Sequence, residues 1–266
     1  MEFFSAIILG IVEGLTEFLP VSSTGHLILV ASQLPMDAEF SKLFNVVIQL
    51  GSILAIVVLY WKKFMGVLVG LPRERSAQHF TRNVALGFLP AMVIGYFAHD
   101  AIKTYLFSPT VVACALIIGG LAILLIEKKK PAPKVFSTEE MGWKTALKIG
   151  FIQCLAMVPG VSRSGASIMG GLLVGVERKA AAEFSFFLAV PTMVAAAGYD
   201  LYSAGTLPEG GLAVIAVGFV TSFIVALIVV RWMMGFITRH GFTPFAYYRI
   251  ALGLVLLACV ANGVIA

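Results

Sequence analysis

The chain has 266 residues, of which 59% are hydrophobic and 12% charged, and its mean hydropathy is +0.97. A soluble domain is roughly half apolar and about a quarter charged, so this composition excludes a water-soluble globular enzyme and makes lipid the solvent. The net charge of +5 reports topology in such a chain, since Lys and Arg sort to one side of a membrane; nucleic acid is not an expected partner.

The N-terminal run MEFFSAIILGIVEG has no basic start and is soon interrupted by Glu13 and Glu17, so a cleaved signal peptide is not expected. Residues 4–30 are apolar but broken by LPVSSTGH, and residues 145–175 are broken by VPGVSRSG. Gly, Pro and Ser clusters end helices, and polar backbone at membrane depth is tolerated only where protein walls it in. Each of these segments therefore reads as a re-entrant helical hairpin with a polar tip. Between and after them, residues 42–60, 84–101, 108–126, 182–200, 212–232 and 244–264 are each long enough to cross about 30 Å of hydrocarbon. The expected fold is an all-α polytopic membrane protein, one integral domain over residues 1–266. Cys114, Cys154 and Cys259 have no CxxC spacing and read as small core residues.

An internal repeat organises these elements. A shift of 140 aligns Gly10 with Gly150, Leu15 with Leu155, Val21 with Val161, Ser22 with Ser162 and Gly25 with Gly165. Glu13 meets Gln153, and Thr24 meets Ser164. The halves run over about 1–130 and 140–266, each with one hairpin and three spans. Three crossings per half invert the second half relative to the first, so that two broken elements meet near the midplane. The segments 61–83, 127–147, 176–181 and 231–243 fall on one side and hold, with Lys148 beside them, every Lys and Arg except Lys42, Lys103, Arg163 and Arg249. The positive side is cytoplasmic, which places both termini and the first hairpin's opening outside.

The charges left within apolar segments are the candidate site, because an intramembrane ion costs about 2.5–3.5 kcal/mol on insertion scales. Glu13 and Glu17 stand one helical turn apart and share a face; two close carboxylates call for a cation or a proton, and Mg²⁺ or Ca²⁺ bridging to phosphate would satisfy them. Ser22, Ser23, Thr24 and His26 follow on the first tip. On the second, Arg163 between Ser162 and Ser164 at a helix N-terminus is an anion site suited to phosphate, or a buried partner for Glu13 or Glu17. His26 follows the tip closely enough to act as general acid, general base or nucleophile. Glu183, Gln49 and Arg249 suit either a ligand or a neighbouring hairpin backbone, and His79, His99 and His240 read as solvated residues at loops and span ends.

EGLTEFLPVSSTGH at 13–26, PGVSRSG at 159–165 and EFSFFLAVP at 183–191 together resemble the bacterial undecaprenyl-diphosphate phosphatase family of the bacitracin-resistance type, over nearly the whole chain. The resemblance implies an inner-membrane hydrolase that removes the terminal phosphate of a C55 polyprenyl diphosphate and recycles the lipid carrier for peptidoglycan synthesis. It also implies divalent-metal dependence and homodimers, and it carries family roles onto Glu13, Glu17, Ser22, Ser23, Thr24, His26, Ser162, Arg163 and Ser164. Ser167 stands where the family more often has Thr. On this reading Glu13 and Glu17 hold the metal. Glu17, His26, Arg163 and Ser23 are catalytic, and Ser22, Thr24, Ser162, Arg163 and Ser164 bind phosphate. Attack by Ser23, by His26 or by an activated water are all compatible with the residues, and the lipid tail calls for a groove open to the bilayer. A polyprenyl-phosphate transporter is the rival, since inverted repeats with broken helices are also a transporter design.

Overall fold

A computed structural model describes the backbone of residues 2–203 and 211–265; the side chains at 38, 39, 42, 99–101 and 103, those of Lys42, His99 and Lys103 among them, lie outside the description. The first hairpin is α1 (Glu2–Thr16) and α2 (Ser23–Ala31), followed by α3 (Ala38–Leu59), α4 (Trp61–Gly70), α5 (Arg75–Tyr105) and α6 (Pro109–Lys129). The second is α7 (Trp143–Gln153), one 3₁₀ turn (Cys154–Met157) and α8 (Arg163–Leu173), followed by α9 (Arg178–Ser203), α10 (Gly211–His240) and α11 (Thr243–Ala261). Among the described residues α5, α6, α9, α10 and α11 are each long and apolar enough to cross a membrane alone, and α3 joins them together with α4, from which it is bent by 72°. The chain is a multi-pass membrane protein.

Local chemistry sets the boundaries. Ser108 caps α6 by accepting from the Val111 N–H at 3.2 Å, Pro109 occupies the first turn where its missing N–H costs nothing, and Lys128 and Lys129 meet the negative end of the helix dipole. The basic segment 61–83 is not an open loop as expected. Its apolar Phe64, Met65, Val67 and Leu68 form α4, and Arg75 already starts α5, so His79 lies within a helix. Two lysines beside that apolar stretch make it unlike a span in sequence, yet nothing in it breaks a helix.

The hairpins pack crosswise. α1 lies along α10 and α7 along α5, while α6 pairs with α11, and α3 with both α9 and α10. Glycine permits the two crossings: a Cβ at Gly10 would sit 2.7 Å from the Gly218 carbonyl oxygen, and one at Gly150 would meet the Gly87 carbonyl closer still. The basic segments meet on one side of the molecule. Lys63 pairs with Glu139, Val135 bridges to Val176, and Glu127 accepts from Arg178 at 2.8 and 3.2 Å, from Lys130 and from the Phe242 N–H at 2.9 Å. One carboxylate thus ties together the ends of α6, α9 and the α10–α11 turn.

Candidate active site

Both hairpins break at the same place. Ser22 and Ser162, 140 residues apart, precede α2 and α8 with φ of 69° and 76°, and they are the non-glycine residues with positive φ among those described. That region is costly for a residue with a Cβ, and here it turns each chain sharply so that a helix N-terminus faces the opposite tip. Ser162 adds a cap, its Oγ accepting the Gly165 N–H at 3.1 Å.

Across this junction Glu17 bridges the hairpins. Its Oε1 accepts from Arg163 Nη2 at 3.1 Å, and its Oε2 accepts from Ser23 Oγ at 2.7 Å. Arg163 is held from two further directions. Nη1 donates to the carbonyl and the hydroxyl of Ser185 at 2.9 and 3.2 Å, and the guanidinium lies over the Phe18 ring at 5.6 Å. Because Arg163 is only a donor, the Ser185 hydroxyl proton points to Ser167 Oγ, 2.7 Å away. Nε is buried without a hydrogen-bond partner among the described residues.

The remaining predicted residues divide. Ser164 Oγ donates to the Leu19 carbonyl at 2.8 Å, which directs the Ser162 hydroxyl proton to Ser164 at 3.0 Å. Ser164 thus spends its proton joining the tips and Ser162 spends its own within the second tip, with lone pairs left over, and Thr24 sits half-buried in the first turn of α2. His26 is hydrogen-bonded to neither Glu17 nor Arg163: Nδ1 lies 2.7 Å from the Ser22 carbonyl and Nε2 2.7 Å from the Tyr248 hydroxyl. A carbonyl only accepts, so Nδ1 carries the proton, and in the neutral ring Nε2 accepts from Tyr248. Glu13 is fully buried, and both its carboxylate oxygens lack a partner among the described residues. Among those residues no three His, Cys, Asp or Glu side chains gather as a metal cluster. The donor set that remains is the orphaned Glu13 carboxylate with Glu17 a turn away. That set suits a hard cation, which takes one or two carboxylates and completes its shell from phosphate and water.

Arg249 is explained by backbone rather than by a ligand. Only 1% exposed, it donates to the carbonyls of Pro20, Val161 and Gly160 at 3.2, 2.8 and 2.9 Å, and to those of Ala115 and Leu116 at 3.2 and 3.4 Å. One side chain on α11 thus fastens both tips to α6.

A cavity of about 480 Å³ leads to the site between α5, the 3₁₀ turn and α9. Phe88, Met92, Tyr96, Phe107, Met157 and Tyr199 line it, with buried Gln153 and partly buried Arg163, Thr192 and Asp200 as polar or charged groups in its wall. Its walls come from the C-terminal parts of α5 and α9, away from the basic segments, and each of these helices carries an internal proline, Pro90 or Pro191. Ser185, Tyr248, Phe18 and Gln153 belong to this surrounding although motif reasoning does not single them out. Ser185 lies within EFSFFLAVP, and Gln153 is legible as the repeat position of Glu13.

Known proteins are similar to this chain over nearly its whole length. Undecaprenyl-diphosphatase 1 of Stutzerimonas stutzeri (strain A1501) is 53% identical over 261 residues, covering 98% of this chain and 95% of that one. Undecaprenyl-diphosphatase of Rhizorhabdus wittichii is 54% identical over 259 residues, 97% of each chain, and that of Azotobacter vinelandii (strain DJ / ATCC BAA-1303) is 52% identical over 262 residues, 98% of this chain and 95% of the relative. The family described as bacitracin resistance protein BacA matches residues 6–255, both hairpins and nearly all of the helices between and after them. With a match of that extent and relatives above half identity, the chain belongs to the bacitracin resistance protein BacA family.

Proposed function

We propose that this chain is an undecaprenyl-diphosphatase, which hydrolyses the terminal phosphate from a C55 polyprenyl diphosphate in the bacterial inner membrane. The observation that carries the reading is the Glu17 carboxylate, held between Ser23 and Arg163 beside a mainly apolar cavity of about 480 Å³, room for part of a lipid tail. Nucleophile, base and a group orienting the base stand within hydrogen-bond reach, the arrangement that activates a hydroxyl.

In the proposed reaction Ser23 Oγ attacks the terminal phosphorus while its proton passes to Glu17 Oε2. The bond from phosphorus to the bridging oxygen breaks, and the polyprenyl monophosphate leaves. Water then attacks the phosphoserine, phosphate departs and Ser23 regains its proton. His26, one turn beyond Ser23 on α2, accepts from Tyr248 at Nε2 and serves as base for that water once the water takes the place of the Tyr248 hydroxyl. Arg163 stabilises charge on the transferring oxygens. Glu13 and Glu17 would hold Mg²⁺ or Ca²⁺, which supplies charge neutralisation on the phosphate oxygens when bound. The tip amides around Ser22, Thr24, Ser162 and Ser164 donate to the phosphate oxygens, and the hydroxyl lone pairs accept from its water.

The matching positive-φ serines and the paired crossings of α1 on α10 and α7 on α5 support an inverted repeat. The gathering of the basic segments on one side supports a cytoplasmic face there, with termini and cavity toward the periplasm; homodimers are part of the same reading. The Ser23–Glu17 pair favours an enzyme over a transporter, because translocation needs an anion site but no activated hydroxyl.

The test is phosphate release from undecaprenyl diphosphate by the purified protein in detergent, with ³²P trapping by acid quench. Label on Ser23 is expected. Release with no label on the protein would replace the covalent route with direct attack by water, and no release at all would remove the enzymatic reading.

A further inference from the structure

We infer that Gln153 is a substrate-contacting residue whose side-chain amide donates to the diphosphate at the inner end of the cavity that Arg163 also lines; this deepens the reading of the chain as a polyprenyl-diphosphate phosphatase and rests on it for the identity of the ligand.

Gln153 ends α7 and is 2% exposed, yet neither its Oε1 nor its Nε2 has a hydrogen-bond partner among the described residues. The cavity around it is mainly apolar, Ala156, Met157 and Phe88 among its lining, and although Thr192 and Asp200 also line it, the amide has no hydrogen-bond partner among the described residues. An amide so placed costs the chain its hydration without return unless something in the cavity meets it. Arg163 Nε–H is a second buried donor lacking a partner, on a residue that lines the same cavity. Two unpartnered donors on the wall of one largely apolar cavity suit an acceptor-rich anion with an apolar tail, which describes a lipid diphosphate.

The repeat sharpens the assignment. Gln153 occupies the position that Glu13 holds in the first half, and both are buried without partners. A carboxylate suits a cation, whereas at 153 it would face the diphosphate across low dielectric and repel it. The amide keeps the shape of Glu and reverses its preference. Divergence at this pair, with that of Ser23 and Arg163 at the same shift of 140, separates a cation-binding half of the site from an anion-binding half.

The experiment measures binding and turnover separately. Farnesyl methylenediphosphonate, which cannot be hydrolysed at the bridge, is titrated against the purified full-length protein by thermal shift, with inorganic pyrophosphate as a second probe. Gln153→Met should melt at or above the wild-type temperature without ligand and bind the diphosphonate about 10- to 100-fold more weakly. Gln153→Glu, the closest isostere, should bind more weakly still. Equal weakening with pyrophosphate places the contact at the diphosphate; weakening confined to the farnesyl probe, equal affinity in wild type and Gln153→Met, or no binding by the wild type each overturns the assignment. Phosphate release by the wild type is read in parallel. Binding that depends on Gln153 with no release would leave this contact standing and remove the phosphatase reading.

Discussion

Arg249→Met removes the side chain that holds both hairpin tips. Five carbonyls lose a donor, but Ala115 and Leu116 lie within α6, whose helical bonds already serve their oxygens. The loss falls on Pro20, Gly160 and Val161, which lie in the tips. An orphaned buried acceptor costs about 1–3 kcal/mol, so three cost roughly 3–9 kcal/mol. Against this, the folded state no longer carries a desolvated guanidinium, which recovers several kcal/mol. The balance is a modest loss, about 3 kcal/mol, or a melting temperature lower by roughly 6–12 °C at the usual ~2–4 °C per kcal/mol. Activity should fall much further, because misplacing a tip by about 1 Å can cost 10²-fold in rate. Arg249→Lys, with one ammonium in place of a fork, should keep the fold better than Met and still lose most activity. Melting and phosphate release of the purified variants decide it: Arg249→Met with wild-type values for both would refute the clamp.

Glu17→Gln removes the base at Ser23 and the counter-charge of Arg163, and phosphate release should drop by about 10²–10⁴-fold; retention of more than a tenth of the wild-type rate would take Glu17 out of the chemistry. Tyr248→Phe leaves His26 Nε2 without its donor and should change rate by less than about tenfold while altering the pH profile of kcat. Gly150→Ala drives a Cβ into the Gly87 carbonyl and should destabilise by about 1–3 kcal/mol, whereas Gly66→Ala, with nothing within 4 Å, should be neutral or gain up to about 1 kcal/mol; equal melting shifts would dismiss the close-crossing argument. Chelation by EDTA should stop turnover reversibly, and Glu13→Gln should weaken the response to re-added Mg²⁺ with little change in melting temperature.

Much of this architecture was legible because lipid makes residue types unambiguous. Apolar runs had to be helices, and Pro, Gly and Ser clusters inside them had to be breaks. The pairing of Glu17 with Arg163 was open to inference as well, since two ions so far apart in sequence had few other partners within a membrane. The hydrogen-bond directions were not. That His26 turns to Tyr248 rather than to Glu17 depends on rotation about α2, and the residue it meets is 222 positions away. Arg249 could equally have served a ligand; only the tertiary fold shows that carbonyls of two tips converge on it. The helical character of 61–70 was hidden by its lysines, which mark a membrane boundary without forbidding a helix.

The crosswise packing of the hairpins bears on how the protein is made. α1 emerges from the ribosome well before the helix it rests against, α10, which is completed only after roughly two hundred further residues at about 5–20 residues per second. For some ten seconds or more Glu13 and Glu17 must wait in a hairpin with no wall behind it, at the membrane surface or under the protection of the insertion machinery. Biogenesis is therefore a late closure rather than a sequential stacking of spans. Two fragments divided between residues 130 and 140 would be mutually dependent, each supplying the helix that receives the other's hairpin.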